Sequence, residues 1–372
     1  AAPRKGDSGD EVLGRQSDRW VGQDGAIASM ELVQTAPAAH DTLRPHATTI
    51  GLVHREGDGA VVIDTIPVLI EGERTDVADA VGRPAPLFVF PNHGDHDYAL
   101  AELDERSLDF ALERLPELPD PLLRQQAWST LWEMVRATGL RSTEYLEAVR
   151  QFAPRESDRA LVSAIADRAL VALRRYVPDE HLGPAASALT QAAIGALRST
   201  KDPDLRLVWA RTAAAAASVP ADIGEMLDLV DGGWSVPGFE PDQQLRWTLA
   251  TKAVAHDLDG GVGRLALEQE RDRSDRGQRA GIRAEVSRPD EEVKREAWTR
   301  INGEGYGSDY LTRAAISGFQ WRHQRELLRP YREPFYEQLE SDYAVRDHTH
   351  ARAYHRWLGP DLGAEPSELE RI

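Results

Sequence analysis

The sequence predicts an α+β multidomain chain: a small antiparallel β-sandwich followed by a large all-α, superhelical array of stacked helix pairs. Three observations carry that prediction. From residue 20 to residue 103, short runs rich in Val, Ile and Thr are separated by Gly-Asp or Pro-containing punctuation, the pattern of strands joined by turns. After Asp104 the apolar residues recur at helical spacing as far as Leu358. The helices so defined are joined by short turns carrying Pro, Asp or Gly, which favours antiparallel neighbours packed in pairs. Unit lengths vary, so no strict sequence repeat accompanies the array.

Taken in order, residues 1–19 are rich in Gly, Asp and Arg without periodicity and read as a disordered tail or linker remnant. The β-sandwich occupies 20–103, with strands expected at 27–35, 48–54, 60–70, 87–90 and 98–103. Ile50, Leu52 and His54 share one strand face, and Glu56-Gly57-Asp58-Gly59 is placed as a hairpin connection. The helical domain covers 104–358, with helices expected at 120–137, 157–177, 202–218, 242–258 and 289–301. In the second of these Leu161, Ile165, Ala169, Leu173 and Tyr176 form the stripe, Ser157 is the expected cap and Pro178 the stop. Pro121, Pro203 and Pro289 lie at or near helix starts, where a missing amide proton costs nothing. The alanines of 213–217 permit close helix packing, and 359–372 is a tail.

The 372 residues suffice for two or three domains with a sizeable core. A net charge of −18 repels phosphate backbones and anionic lipid, so neither nucleic acid nor membrane is an expected partner. The charge is spread as mixed Arg and Glu/Asp along helical faces, a solvated surface rather than an acidic tail. Cysteine is absent, which excludes disulfides, thiolate zinc sites and a cysteine nucleophile and agrees with a cytoplasmic location. No run approaches the roughly 20 apolar residues of a membrane span, and the first residues hold no apolar leader core. Lysine occurs only at positions 5, 201, 252 and 294, against many arginines, a bias of a G+C-rich coding source.

Three segments carry a family resemblance: LRPH at 43–46, PNHGDHDYALAELDERS at 91–107 and GFQWRHQRELLRPYREPF at 318–335. With the helical signatures Asp104-Glu105-Arg106-Ser107-Leu108, Ala127-Trp128, Trp132-Glu133-Met134 and Leu245-Arg246-Trp247, the chain resembles the C-terminal half of the aminopeptidase N family, in its bacterial, actinobacterial-like branch. The resemblance extends over roughly 20–358. It implies zinc exopeptidases that remove N-terminal residues from peptides, with zinc, general base and oxyanion tyrosine in an N-terminal catalytic domain. On that resemblance this chain is the non-catalytic C-terminal portion, inactive alone, with the catalytic domain, in cis or in trans, and a peptide substrate as its partners. The β-sandwich is then a hinge and support, and the helical domain lines and gates the peptide chamber. Two departures stand beside it: the catalytic half is missing, and the chain stops short of the family's last helices.

The residue chemistry agrees on the missing half. A zincin needs two histidines one helical turn apart with a glutamate beside the first, and no HExxH occurs. A Gly-Ala-Met-Glu-Asn amine anchor is also absent, as are a Gly-x-Ser-x-Gly elbow and a phosphate loop; Gly260-Gly261-Val262-Gly263 reads as a helix-ending turn. His93-Gly94-Asp95-His96-Asp97 holds four potential ligands at the strand-to-helix junction, but Asn92, Asp95 and Asp97 are better read as satisfying turn amides. A metal hydrolase on His93 and His96 is the reading this sets aside. His348, His350 and His355, with Asp347, read as solvated histidines, since His348 and His350 point apart on a helix. Trp128, Trp132, Trp209, Trp247 and Trp298 read as core anchors. Neither a catalytic nor a metal-binding residue is expected in this chain, and no cofactor; zinc belongs to the missing domain.

The expected substrate-binding residues are Gln320, Trp321, Gln324 and Arg325, clustered with His323 just before Leu327-Leu328-Arg329-Pro330-Tyr331. Cationic and amide groups there suit a peptide backbone or its C-terminal carboxylate. The competing reading is that they cap and pack successive helices. For the whole chain the competing function is a non-enzymatic peptide-binding or protein-interaction scaffold on the helical array.

Overall fold

Alternating apolar residues organise the first part of the chain into two small sheets facing one core. A computed structural model describes residues 12–13, 25–36, 42–57, 59–345 and 348–359. Expectations for the rest of the 1–19 and 359–372 tails, and for Asp58 and Asp347, lie outside the described residues. The strands are β1 (Val12–Leu13), β2 (Glu31–Thr35), β3 (His46–Arg55), β4 (Val61–Ile70), β5 (Arg74–Asp76), β6 (Phe88–Phe90) and β7 (Leu100–Ala101). One sheet has the order β5-β2-β1-β7 and the other β4-β3-β6. Pairing is antiparallel except between β1 and β7, which run parallel. Leu32 from the first sheet and Ile50, Leu52, Ile66 and Val89 from the second share one buried cluster with Ile27, Met30 and Val77.

The β3–β4 hairpin pairs Ile50 with Ile66 and closes where Glu56 N–H donates to the Ala60 carbonyl at 2.9 Å. Pro67 lies on β4, which ends its sheet; an edge strand tolerates a residue with no amide proton. The expected strands at 27–35 and 98–103 contract to β2 and β7, and Tyr98 is 85% exposed. β5, three residues of alternating charge, carries no apolar signal and was not foreseen.

Thereafter the chain is helical: α1 (Glu105–Arg114), α2 (Pro121–Arg136), α3 (Ser142–Phe152), α4 (Arg159–Arg175), α5 (Asp179–Ser199), α6 (Pro203–Ala216), α7 (Pro220–Asp231), α8 (Gln243–Ala255), α9 (Gly261–Arg271), α10 (Asp275–Val286), α11 (Glu291–Asn302), α12 (Asp309–Phe319), the single turn α13 (Arg325–Leu328), α14 (Arg332–Val345) and α15 (His348–Leu358). The fold class is therefore α+β with a large stacked helical region. The starts obey side-chain capping. Asp104, Asp120, Asp202, Asp242 and Asp290 each accept an amide of the following first turn. Pro121 and Pro203 occupy the first helical turn, whereas Pro289 precedes its cap.

Two local expectations are corrected. Asp158, not Ser157, caps α4, because its carboxylate reaches the Leu161 amide at 2.8 Å. Gly260 does not close a helix but opens one: in the left-handed region at φ 74° it precedes α9. Of the five tryptophans read as core anchors, Trp128, Trp132, Trp209 and Trp247 are buried, and Trp298 packs half-buried against the apolar cluster of α11 and α12. Of the alanines of 213–217, all but Ala215 are buried.

The chain divides into two compact units, Ala1–His181 and Leu182–Ile372. In the second, α10 and α12 pack closely because Gly318 has no side chain; a Cβ there would lie 2.2 Å from the Arg283 carbonyl oxygen. Phe319, Ile316 and Ala315 of α12 join Val286, Ile301, Phe335, Tyr354 and Leu358 in one apolar cluster.

Candidate functional site

The expected site lies where α12 ends. Gln320 terminates the helix in extended conformation and donates from Nε2 to the Leu358 carbonyl, the last of α15, at 2.8 Å. Trp321 folds back, its indole N–H 3.0 Å from the Gly318 carbonyl. A single 3-10 turn, Arg322–Gln324, then drives Gln324 inward until only 4% of it is exposed. Its Nε2 donates to the Ala255 carbonyl at 2.8 Å and the Ser287 carbonyl at 2.9 Å, while its buried Oε1 has no partner. Arg325, half-buried, starts α13.

These side chains thus converge on helix C-termini, whose last carbonyls have no intrahelical donor. Two groups the sequence reading missed complete the arrangement. Lys294, fully buried, donates from Nζ to the Val286 and Phe319 carbonyls, both at 2.8 Å, and stands 5.2 Å from the Phe319 ring centroid. Burial pulls its pKa from 10.5 to about 7. His256, after α8, stacks on His323 with centroids 3.9 Å apart and planes 19° from parallel, and Trp321 meets both rings edge-on. Burial lowers the pKa of His256 to about 3, aided by the neighbouring His323 and Lys252; burial also lowers that of His323, against the pull of its bond to the Ala255 carbonyl. The signal for Lys294 was its spacing: with Ala297 and Ile301 it stands on the apolar stripe of α11.

The strand-to-helix junction is knit differently. His46 Nδ1 and Asp97 Oδ2 are 2.8 Å apart, and Asp97 Oδ1 accepts the Tyr98 amide at 2.7 Å. Asn92 accepts from Thr48 Oγ1 at 2.7 Å and donates to the Asp97 carbonyl at 2.7 Å, and its own carbonyl accepts Gln126 Nε2 from α2 at 2.8 Å. Gly94 and Asp95 turn the chain with φ 84° and 56°. Asn92 and Asp97 thus do the turn work read for them in the sequence. His93 packs against Gly51, its Nδ1 buried without a partner, and burial lowers its pKa against the pull of Asp120. Asp97 is engaged at both oxygens, and no group of three or more metal donors converges among the described residues. An open cleft of about 550 Å³ lies beside this junction, between Thr49, Pro67, Leu69 and His96, and not at the Gln324 cluster.

Of the three C-terminal histidines, His348 is exposed, but His350 is 2% exposed, which corrects its reading as solvated. It lies on the inner face of α15 with Ala351, Tyr354 and Leu358, its ring stacked near that of Tyr354.

Residues 88–371 match the model of the ERAP1-like C-terminal domain. The chain is also 32% identical over 356 residues to an aminopeptidase N of Streptomyces lividans, a match covering 94% of this chain and 41% of that protein. The chain therefore spans less than half the length of its curated relative.

Proposed function

Because the chain belongs to the ERAP1-like C-terminal domain family of the aminopeptidase N type, we propose that it serves as the non-catalytic C-terminal portion of a zinc aminopeptidase that trims N-terminal residues from peptides. The observation that carries this reading is the continuous match to an aminopeptidase N along 94% of the chain. It is supported by the absence of HExxH from the 372 residues, so zinc, base and oxyanion donor are to be sought in a partner catalytic domain, in cis or in trans. The helical region restricts which peptides reach that domain, and Gln320, Trp321, Gln324 and Arg325 contribute to peptide binding. Gln320, Trp321 and Arg325 are half-buried and within reach of a ligand; Gln324, buried, acts through its hold on helix ends. A chain without cysteine suits the cytoplasm, and no described helix is long and apolar enough to cross a membrane.

The test joins this chain to the catalytic portion of an aminopeptidase N and compares an aminoacyl anilide with peptides of about ten residues. Arg325→Ala and Gln320→Ala should leave anilide turnover unchanged and alter peptide KM several-fold. Equal effects on both substrates, or none on either, would remove these residues from the peptide path. Peptide binding by the chain alone, with no influence on a joined catalytic portion, would favour the interaction scaffold.

A further inference from the structure

Three helix C-termini meet inside the second unit, and the groups that cap them are an amine, an amide and an imidazole. Lys294 bridges the ends of α10 and α12, while Gln324 and His323 take the end of α8, His323 at 2.8 Å from the Ala255 carbonyl. Lys294 has two carbonyl acceptors, and an aromatic face for its remaining direction. A neutral amine has two N–H donors and is satisfied there; an ammonium has three and brings a full charge into an apolar cluster.

Among the described residues no anion is bonded to that charge. His323 faces it from the 3-10 turn, and His256 and Lys252 stand behind His323 on the α8 side, Lys252 donating to the Ala215 and Ala217 carbonyls. On α10, Arg283 and Glu285 flank the seam from exposed positions, and Glu285 accepts Gln269 at 2.7 Å. On α11, Glu291 and Arg295 act on Tyr331. The last turn of α12 has no titratable side chain. Among the described residues no carboxylate bonds Lys294, His256 or His323.

We propose that this seam is a pH-sensitive latch, in which neutral Lys294 holds the C-termini of α10 and α12 together and its protonation, as pH falls, loosens them. The direction follows from linkage. The closed seam binds the proton less well than an open one, with values of about 7 closed against 10.5 open, so closure is favoured toward pH 10 and weakens as pH falls to 7. Below that, His323 and then His256, both lowered from 6.5, add like charges to the same seam.

Hydrogen exchange of the intact chain, corrected for intrinsic rates, reads the latch at backbone amides near Val286 and Phe319. Their protection should fall roughly a hundredfold from pH 9 to pH 6, as one linked proton allows. In Lys294→Met the change should all but vanish. A fall of the same size in that variant, or none in the wild type, overturns the proposal. Should Lys294→Met not fold, the wild type decides alone: with only four lysines, ε-carbon-labelled protein gives few signals to follow. One lysine titrating near neutrality supports the latch. All titrating above pH 9.5 refutes it.

Discussion

The junction at Asn92–Asp97 and the seam at Lys294–Gln324 are both dense polar knots that hold secondary structure together, yet they are built on opposite plans. At the junction a carboxylate meets an imidazole brought from 51 residues away and the next amide of the chain: Asp97 takes both His46 and Tyr98, and Asn92 closes the turn on itself. In the seam, an amine, an imidazole and an amide meet only carbonyls at helix ends, from partners as far as 69 residues apart. The junction supplies its own anion, Asp97. The seam holds only while the helices that supply its carbonyls stay packed, and so it reports on the packing of the second unit.

The difference can be broken most forcefully at Gly318. Gly318→Val puts a side chain against the Arg283 backbone oxygen, which cannot swing aside, and should cost about 3 kcal/mol in urea unfolding followed by tryptophan fluorescence. Gln324→Leu removes both donations at the seam and should cost about 2 kcal/mol. Thr48→Val at the junction removes a single buried bond to Asn92 and should cost about 1 kcal/mol. Equal losses for these last two would erase the difference in bonds lost at the two knots. Tyr145→Phe sharpens it from below: that hydroxyl is buried beside Trp128 with no partner, so its removal should change stability by less than about 0.5 kcal/mol or raise it.

What the sequence made legible is what short spacings decide. The capping aspartates, the proline starts, the Asn/Asp turn and the tryptophan core all depend on neighbours a few residues away or on helical spacing, and each is found in place. His350 reads as solvated, but α15 puts it on the buried face beside Tyr354, and Lys294, which the sequence reading did not single out, is held by the Val286 and Phe319 carbonyls. Gln320, Trp321 and Gln324 were legible as a cluster, but that their donors are committed to helix ends was not, since those carbonyls belong to α8, α12, α15 and the residue after α10.

The most direct test of the whole reading is hydrolysis of alanyl and leucyl aminopeptidase substrates by the purified chain, with zinc measured on the same sample. The account predicts no turnover and no stoichiometric zinc. Turnover that is lost on chelation and in His93→Ala would contradict it, and would make the junction a catalytic centre rather than a knot.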